Sequence, residues 1–459
     1  MKFLVFGTCL CFFTTSLAQP APGEASLVFL DPLVAQAEAQ DESLAVARAV
    51  EKEQDAAVAS ARAGYLPSLS LNAQTGPSKT WQWNQDGRVG QGQGATWSNQ
   101  AGVSARQNLW SGGVTALREE TATVRREAGR LDTQKRRANV TIDLARDLVD
   151  LVTFSRSLAL QAKLLEQARA LETIAVRKNK SGFLGKKELL ETEREALRSE
   201  LSLGGTRLEF QERLARFNRT YRQTSVPLSV SRLAELAVPL ETASKTGGAL
   251  VGTPALEQAA FEQSLDLRGQ EISISAAESE AQIAHRQRHA PSLDLSAGLS
   301  GSLVDNRNIP APGRSLAADS QLTASATLGF TMSLFAPEAR AAADAAVARK
   351  ETSLVRKAQA ERLVRDALDS YRSQRLLLER QLADQRRLLA ASEDLRDKNT
   401  RLFEAGAFDV ITVVNSQQDV ARQRQSELDV RARLEKLGVE ALGAAQLGVI
   451  PGSSSGSAP

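Results

Sequence analysis

One stretch of this sequence occurs twice. Pro67-Ser68-Leu69-Ser70-Leu71-Asn72-Ala73 returns as Pro291-Ser292-Leu293-Asp294-Leu295-Ser296-Ala297, 224 residues further on. Gly182 has its counterpart in Gly406 at the same spacing, and Leu109-Trp110 in Leu334-Phe335 at 225. A spacing kept over more than 100 residues marks a duplicated chain, and each half must then hold the same succession of elements.

The first element of each half is a helix rich in Ala and Glu, roughly 33–63 and 255–287, ended by Pro67 and Pro291 because the residue before a proline is pushed out of helix. Two runs of strict alternation follow, the pattern of strands with one apolar face. Leu69, Leu71, Ala73 and Thr75 alternate with Ser and Asn, and Leu293, Leu295, Ala297, Leu299 and Leu303 do the same. Trp97, Ala101, Val103, Ala105 and Leu109 share one parity, with Asn99 and Gln107 as polar exceptions. In the last run Leu322, Ala324, Ala326, Leu328, Phe330, Met332 and Leu334 face away from Thr and Ser. The polar face of all four suits a wet lumen. Between paired strands lie Gly-, Pro- and Asn-rich stretches, 76–95 and 304–319. Gly90-Gln91-Gly92-Gln93-Gly94 lacks the following helix and Lys of a phosphate cradle, so it reads as an exposed loop.

Then come the longest elements. Gly113–Lys180 and Glu338–Glu404 contain no proline over 68 and 67 residues, enough for helices of roughly 100 Å. Ala138, Ile142, Ala145, Val149 and Val152 are spaced 4, 3, 4, 3, and Val364, Leu368, Tyr371, Leu378 and Leu382 continue such a heptad seam in the second half. Gly182 and Gly406 mark turns into shorter helices, about 186–219 and 409–446. The stretch between the halves, with Pro227, Pro239, Pro254 and Gly247-Gly248, reads as looser.

Residues 1–18, with Lys2, an apolar run and Ser16-Leu17-Ala18, have the form of a secretory signal peptide. Both cysteines, Cys9 and Cys11, fall inside it, so the exported chain has no thiol chemistry, and a lipid anchor would need a cysteine at the cleavage site. The expected organisation is signal peptide 1–18, first repeat 19–219 with a β-hairpin at 67–110, linker region 220–254, second repeat 255–447 with a β-hairpin at 291–335, and a disordered tail 448–459. Lys+Arg 57 against Asp+Glu 54, interspersed, leave no concentrated basic surface for nucleic acid. His285 and His289 stand four apart, but Arg286 occupies the place where a zinc protease motif carries Glu. No Ser/His/acid or metal cluster is in view, and neither an enzyme nor a cofactor is expected. Trp81, Trp83, Trp97, Trp110 and Tyr65 fit either an interfacial aromatic girdle or loop packing.

Four amphipathic strands cannot close a barrel, for which about eight are the minimum. An open sheet in lipid leaves edge groups unpaired at several kcal/mol each. Three copies would pool twelve strands, an even number. The residues also carry a family resemblance. Ala61-Arg62-Ala63-Gly64-Tyr65-Leu66-Pro67-Ser68-Leu69, Leu109-Trp110-Ser111-Gly112-Gly113 and Phe403-Glu404-Ala405-Gly406 resemble the helix-to-strand, strand-to-helix and periplasmic turns of the TolC family of outer-membrane efflux and secretion proteins. The resemblance implies a mainly α fold with membrane β: a long α-helical coiled-coil barrel plus four transmembrane strands per protomer, in a homotrimer with a 12-stranded β-barrel. It implies a Gram-negative outer membrane, a duct reaching into the periplasm, and partners in a periplasmic adaptor and an ABC or proton-driven inner-membrane transporter. Type I protein secretion and multidrug efflux are both members' roles. The competing reading is a periplasmic coiled-coil adaptor without a membrane barrel.

The family narrows near its Gly turns, often with acidic rings six and nine residues after the second-half Gly. Those places hold Thr412 and Asn415, while the same offsets in the first half hold Glu188 and Glu191. Phe403 stands where the family often has Tyr, and Phe408 where it has Arg, which removes the usual salt-bridge latch. The expected constriction has Glu188 as its main charge and Phe403 as packing, with Glu191, Thr412 and Asn415 beside them. Alternatively, Glu188 and Glu191 simply form a solvated helix start favoured by the dipole. Gly182, Gly185 and Gly406 are the expected adaptor-docking turns, and Pro67, Gly112, Gly113, Pro291 and Pro337 the barrel junctions.

Overall fold

A computed structural model describes residues 27–78, 96–221, 227–305, 319–333 and 335–450. The signal peptide, Trp81, Trp83, the Gly90–Gly94 run, Leu334 and residues 451–459 lie outside the described residues. After a 3-10 turn at Leu27–Leu30 the elements are α1 (Asp31–Gln40), α2 (Glu42–Ala63), β1 (Ser68–Ser78), β2 (Thr96–Trp110), α3 (Val114–Lys180), α4 (Lys186–Thr220), α5 (Val230–Leu250), α6 (Pro254–Glu262), α7 (Leu265–His289), β3 (Ser292–Asp305), β4 (Asp319–Thr331), α8 (Pro337–Glu404) and α9 (Val410–Leu447). Two compact units share this chain. One holds Gln40–Asn139 and Phe261–Asp366, with all four strands; the other holds Val140–Ala260 and the chain from Ala367, together with the first described residues up to Ala39.

The expected first helix of each half is broken once, at matching places. Asp41 caps α2 by accepting from Leu44 N (3.0 Å), and Ser264 caps α7 by accepting from Leu267 N (3.3 Å). A side-chain oxygen that satisfies an orphan helix donor starts a new helix wherever it sits. In the strand unit, ion pairs such as Arg62–Glu119 (2.8 Å), Lys350–Glu278 (3.0 Å) and Lys357–Glu271 (2.8 Å) tie α2 to α3 and α7 to α8.

The linker expected to be loose is instead a 21-residue helix, α5, with Pro239 inside it. What holds it is close packing on α9. A Cβ added at Gly247 would lie 1.9 Å from Gly438 O, and one at Gly438 would lie 2.0 Å from Ser244 O. The two backbones therefore touch, and Ser244 Oγ donates to Glu435 O across the crossing (2.8 Å). Glycines that look like helix breakers in sequence are the condition for this contact, because tertiary packing overrides propensity. Around it, Leu144, Leu148, Phe210, Phe217, Leu233 and Leu240 belong to one buried cluster.

Beside this crossing, Arg156 donates to Glu435 (2.9 Å) and Glu241 (3.0 Å), and Arg431 to the same two carboxylates (2.9 and 2.8 Å). Lys245 donates as well, and its hydrogen bond holds the Glu241 carboxyl below the usual range. Of these groups only Glu435 is buried, so removing the arginines that reach it strands a carboxylate away from water.

Some apolar helix positions stay uncovered. On α4, Leu190, Leu197, Leu201 and Leu208 are exposed at spacings of 7, 4 and 7; on α8, Leu388, Leu395 and Leu402 are exposed at 7 and 7. In contrast, Ala138, Ile142, Ala145, Val149 and Val152 are all buried.

Gly247→Ala is expected to force α5 off α9, because the clash is with backbone and not with a movable side chain. Overpacking of this kind costs about 1–3 kcal/mol. Thermal unfolding followed by circular dichroism should show a midpoint several degrees lower, whereas Gly248→Ala, with no atom within 4 Å of the added carbon, should leave it nearly unchanged.

Candidate functional site

The four strands form one antiparallel sheet in the order β1-β2-β3-β4. Register aligns like with like. Leu71, Val103, Leu299 and Ala324 stand opposite one another across the sheet, as do Leu69, Ala105, Ala297 and Ala326. This apolar face is bare: Leu71 is 78% exposed and Leu322 75%. The other face is hydroxyl-rich, with Ser70 and Ser104 hydrogen-bonded through their Oγ atoms (2.7 Å) and Ser296 Oγ donating to Thr327 O (3.4 Å). Asn99, a polar residue of the apolar parity, accepts from Thr75 Oγ1 (2.6 Å). Among the described residues β1 and β4 each pair with a strand on one side only, so the sheet has two edges without a partner strand.

One strand assignment needs correction. The pairing shifts between Asn108 and Trp110, so that Trp110, not Leu109, stands opposite Leu293 on the apolar side. A bulge adds one residue without a partner and flips the parity beyond it. Asn108 Nδ2 donates to Asp294 there (3.0 Å). Tyr65 and Trp110 are both exposed at the ends of the strand region.

The junctions lie where sheet and helix meet. Pro67 separates α2 from β1, Pro291 separates α7 from β3, and Pro337 begins α8, the position where its missing N–H costs nothing. Gly112 and Gly113 take φ of +63° and +80° between β2 and α3. His285 and His289 are exposed, with rings 6.5 Å apart.

The two helix turns have the same backbone. Phe183 N donates to Lys178 O (2.9 Å) and Gly182 N to Asn179 O (3.0 Å); Ala407 N donates to Leu402 O (2.8 Å) and Gly406 N to Phe403 O (3.0 Å). This pair of bonds closes a helix through a left-handed residue, and Gly182 and Gly406 have φ of +74° and +80°. Beyond the turns, Glu188 accepts from Gly185 N (2.6 Å) to start α4, and Asp409 accepts from Ile411 N (3.3 Å) to start α9.

Phe403 is 2% exposed and packs with Leu171, Val410, Val413 and Val414. Lys178 holds it from the neighbouring hairpin. Its Nζ lies 4.3 Å from the Phe403 ring centroid and donates to the carbonyls of Phe403 and Glu404, the latter at 3.0 Å. A cation is favoured there because α8 ends with unpaired carbonyls and a negative dipole end.

Residues 256–437 match the family model described as outer membrane efflux protein. Over this stretch the chain is similar to the outer membrane efflux proteins. No curated protein matches the sequence. Among solved structures, the outer membrane protein VceC from Vibrio cholerae is 15% identical with a TM-score of 0.65, over 91% of this chain and 96% of its own. CusC, from work on folding and transmembrane channel formation, is 16% identical with a TM-score of 0.67, over 93% and 95%. A membrane protein from Pseudomonas aeruginosa is 16% identical with a TM-score of 0.66, over 91% and 90%. At such identities the likeness is one of fold, and it extends over nearly the whole chain.

Within the matched stretch and its first-half counterpart, the expected constriction residues do not form one cluster. Glu188 is bound to its own helix start, and Glu191 pairs with Arg194 on the same helix. Thr412 and Asn415 are exposed on α9, and neither is joined by a hydrogen bond or ion pair to Glu188 or Glu191. Phe403 alone is deeply buried. Gly185 precedes α4 in an extended conformation and serves as its cap position. Lys178 was invisible to sequence reasoning. Its partners lie about 225 residues away, and the nearest local signal is that basic residues suit the last turn of a helix.

Replacing Lys178 by Met should release the α8–α9 turn. Losing charge-assisted hydrogen bonds worth about 1.5–3 kcal/mol predicts amide hydrogen exchange about tenfold or more faster at residues 402–409, with α5 unaffected. Unchanged exchange would show the ammonium to be a bystander.

Proposed function

We propose that this protein is the outer-membrane exit duct of a tripartite export system, passive in itself and opened by a periplasmic adaptor and an inner-membrane transporter. The observation that carries this reading is the sheet: one bare apolar face, one hydroxyl-lined face and two unpaired edges. In hydrocarbon those edges have no partner but another copy's, so β4 of one protomer pairs with β1 of the next and three copies give a closed twelve-stranded barrel. The exposed heptads of α4 and α8 are the helical surface such neighbours would cover. A barrel-less adaptor has no use for this sheet. The exported cargo is a protein of a type I system or small toxic molecules of an efflux system. Gene deletion read by both drug sensitivity and the secreted proteome assigns it.

The membrane reading predicts an outer-membrane fraction containing an oligomer that needs detergent for extraction and shifts to monomer on heating. Reconstituted in planar bilayers it should conduct ions. A monomer that stays in buffer without detergent and never inserts would overturn the duct.

At the hairpin turns, the reading makes Glu188 the main charge of the constriction. Glu191, Thr412 and Asn415 stand beside it and Phe403 packs behind. Gly182, Gly185 and Gly406 shape the turns that meet the adaptor. Glu188→Gln separates charge from capping, since an amide at the third helical position still accepts from the cap. Cation over anion selectivity of the reconstituted pore should fall at least twofold with the oligomer intact. Unaltered selectivity would confine Glu188 to starting α4.

A further inference from the structure

We propose that the turn between α3 and α4 docks an acidic, apolar-tipped segment of the periplasmic adaptor protein, and that the turn between α8 and α9, which meets the adaptor as well, takes no part in this charge recognition. This rests on the duct reading and names the chemistry of the partner it requires.

Duplication makes the comparison a controlled one. Both turns close through the same pair of backbone bonds and a left-handed glycine, so their differences lie in side chains. Residues 177–188 hold five cations and one carboxylate, net +4; the matching residues 401–412 hold one cation and two carboxylates, net −1. In the first turn the internal needs are met by Lys178, which reaches the end of α8, and by Glu188, which binds Gly185 N. Arg177, Lys180, Lys186 and Lys187 are left over. All four are exposed, and none forms an ion pair with a described residue, in a chain whose helices are otherwise laced with Arg–Glu and Lys–Asp pairs.

Two further features work against the stability of this turn. Lys186 and Lys187 open α4, where the helix dipole favours carboxylates and opposes ammonium groups. Phe183 occupies the position just past the glycine, whose apolar side chain ordinarily folds back onto the helix, yet it is 85% exposed. Its counterpart is Ala407. Residues that break local rules without a compensating internal contact point to an external one.

The patch suits a protein better than a lipid surface. Asn179 Nδ2 donates to Leu184 O (2.8 Å) and closes the turn, so Phe183 stands on a closed backbone with exposed cations on both sides of it in sequence. That is the layout of an aromatic anchor ringed by polar contacts in a protein interface. Binding to anionic lipid is instead the habit of polybasic segments next to a membrane span.

The test uses the full chain in its native host. Lys180→Gln, Lys186→Glu and Lys187→Glu are combined, and export is read by the phenotype of the gene deletion. Carboxylates at the start of α4 agree with its dipole, so the heat-modifiable oligomer and its thermal midpoint should be unchanged. Export should fall at least tenfold, and Phe183→Ser should weaken it several-fold. Selection for restored export should return Asp or Glu replaced by Lys or Arg in a separate periplasmic protein. Arg401→Glu, in the second turn, should export normally. Wild-type export by the triple variant, or restoring changes confined to this chain, would overturn the inference while leaving the duct reading intact. So would co-sedimentation of purified wild-type protein, but not the variant, with phosphatidylglycerol–phosphatidylethanolamine vesicles, because the patch would then read lipid. A deletion without any export phenotype would remove the duct reading and this inference together.

Discussion

A strand in hydrocarbon can satisfy its backbone only against another strand. Here β2 and β3 are paired on both sides, while among the described residues β1 and β4 each have a strand partner on one side only. The rest of the molecule's organisation depends on how those two edges find partners. The apolar face forbids leaving the sheet in water as an ordinary surface, and the hydroxyl face forbids burying it in a core. Only a closed ring of such sheets, lipid outside and water within, satisfies both faces and both edges. The single chain is thus an incomplete object. Its exposed Leu190, Leu197, Leu201 and Leu208 on α4 make the same statement in helical terms.

Duplication supplies the same backbone twice, and side-chain divergence then gives the copies different tasks. The caps at Asp41 and Ser264 and the glycines at 182 and 406 occupy equivalent places. At the turns, however, Phe403 is buried where Asn179 closes a loop, and Lys178 reaches across to α8 where its counterpart, Leu402, is exposed. The internal clamp therefore runs one way, from the first hairpin to the second. Four spare cations remain on the side that provides the clamp, against Arg401 alone on the other.

Much of the fold was legible because its signals are local and periodic. Alternation across Leu69–Ala73 and Leu322–Phe330 marks strands, and proline-free heptads mark α3 and α8 to within a residue or two of their ends. Three things were hidden, each for a physical reason. The bulge that puts Trp110 on the apolar face depends on pairing with β3, nearly 200 residues away. Helix α5 contains Pro239 and Gly247-Gly248, which any propensity scale reads as a break; only contact with Gly438 turns the small residue into an asset. At the turns, the positions of Glu188 and Glu191 were readable by counting from Gly182, but their attachment to Gly185 N and Arg194 was not. Counting locates a residue on a helix without telling what has already claimed its carboxylate.

The likeness of the two turns in backbone and their contrast in charge bear on stoichiometry. In the proposed trimer, three copies of a two-hairpin chain would set six nearly identical loops about one axis, with positive and weakly negative ones in alternation. A partner that senses main-chain shape meets a sixfold rim and can crowd around it six at a time. One that senses electrostatic sign meets a threefold rim and stops at three.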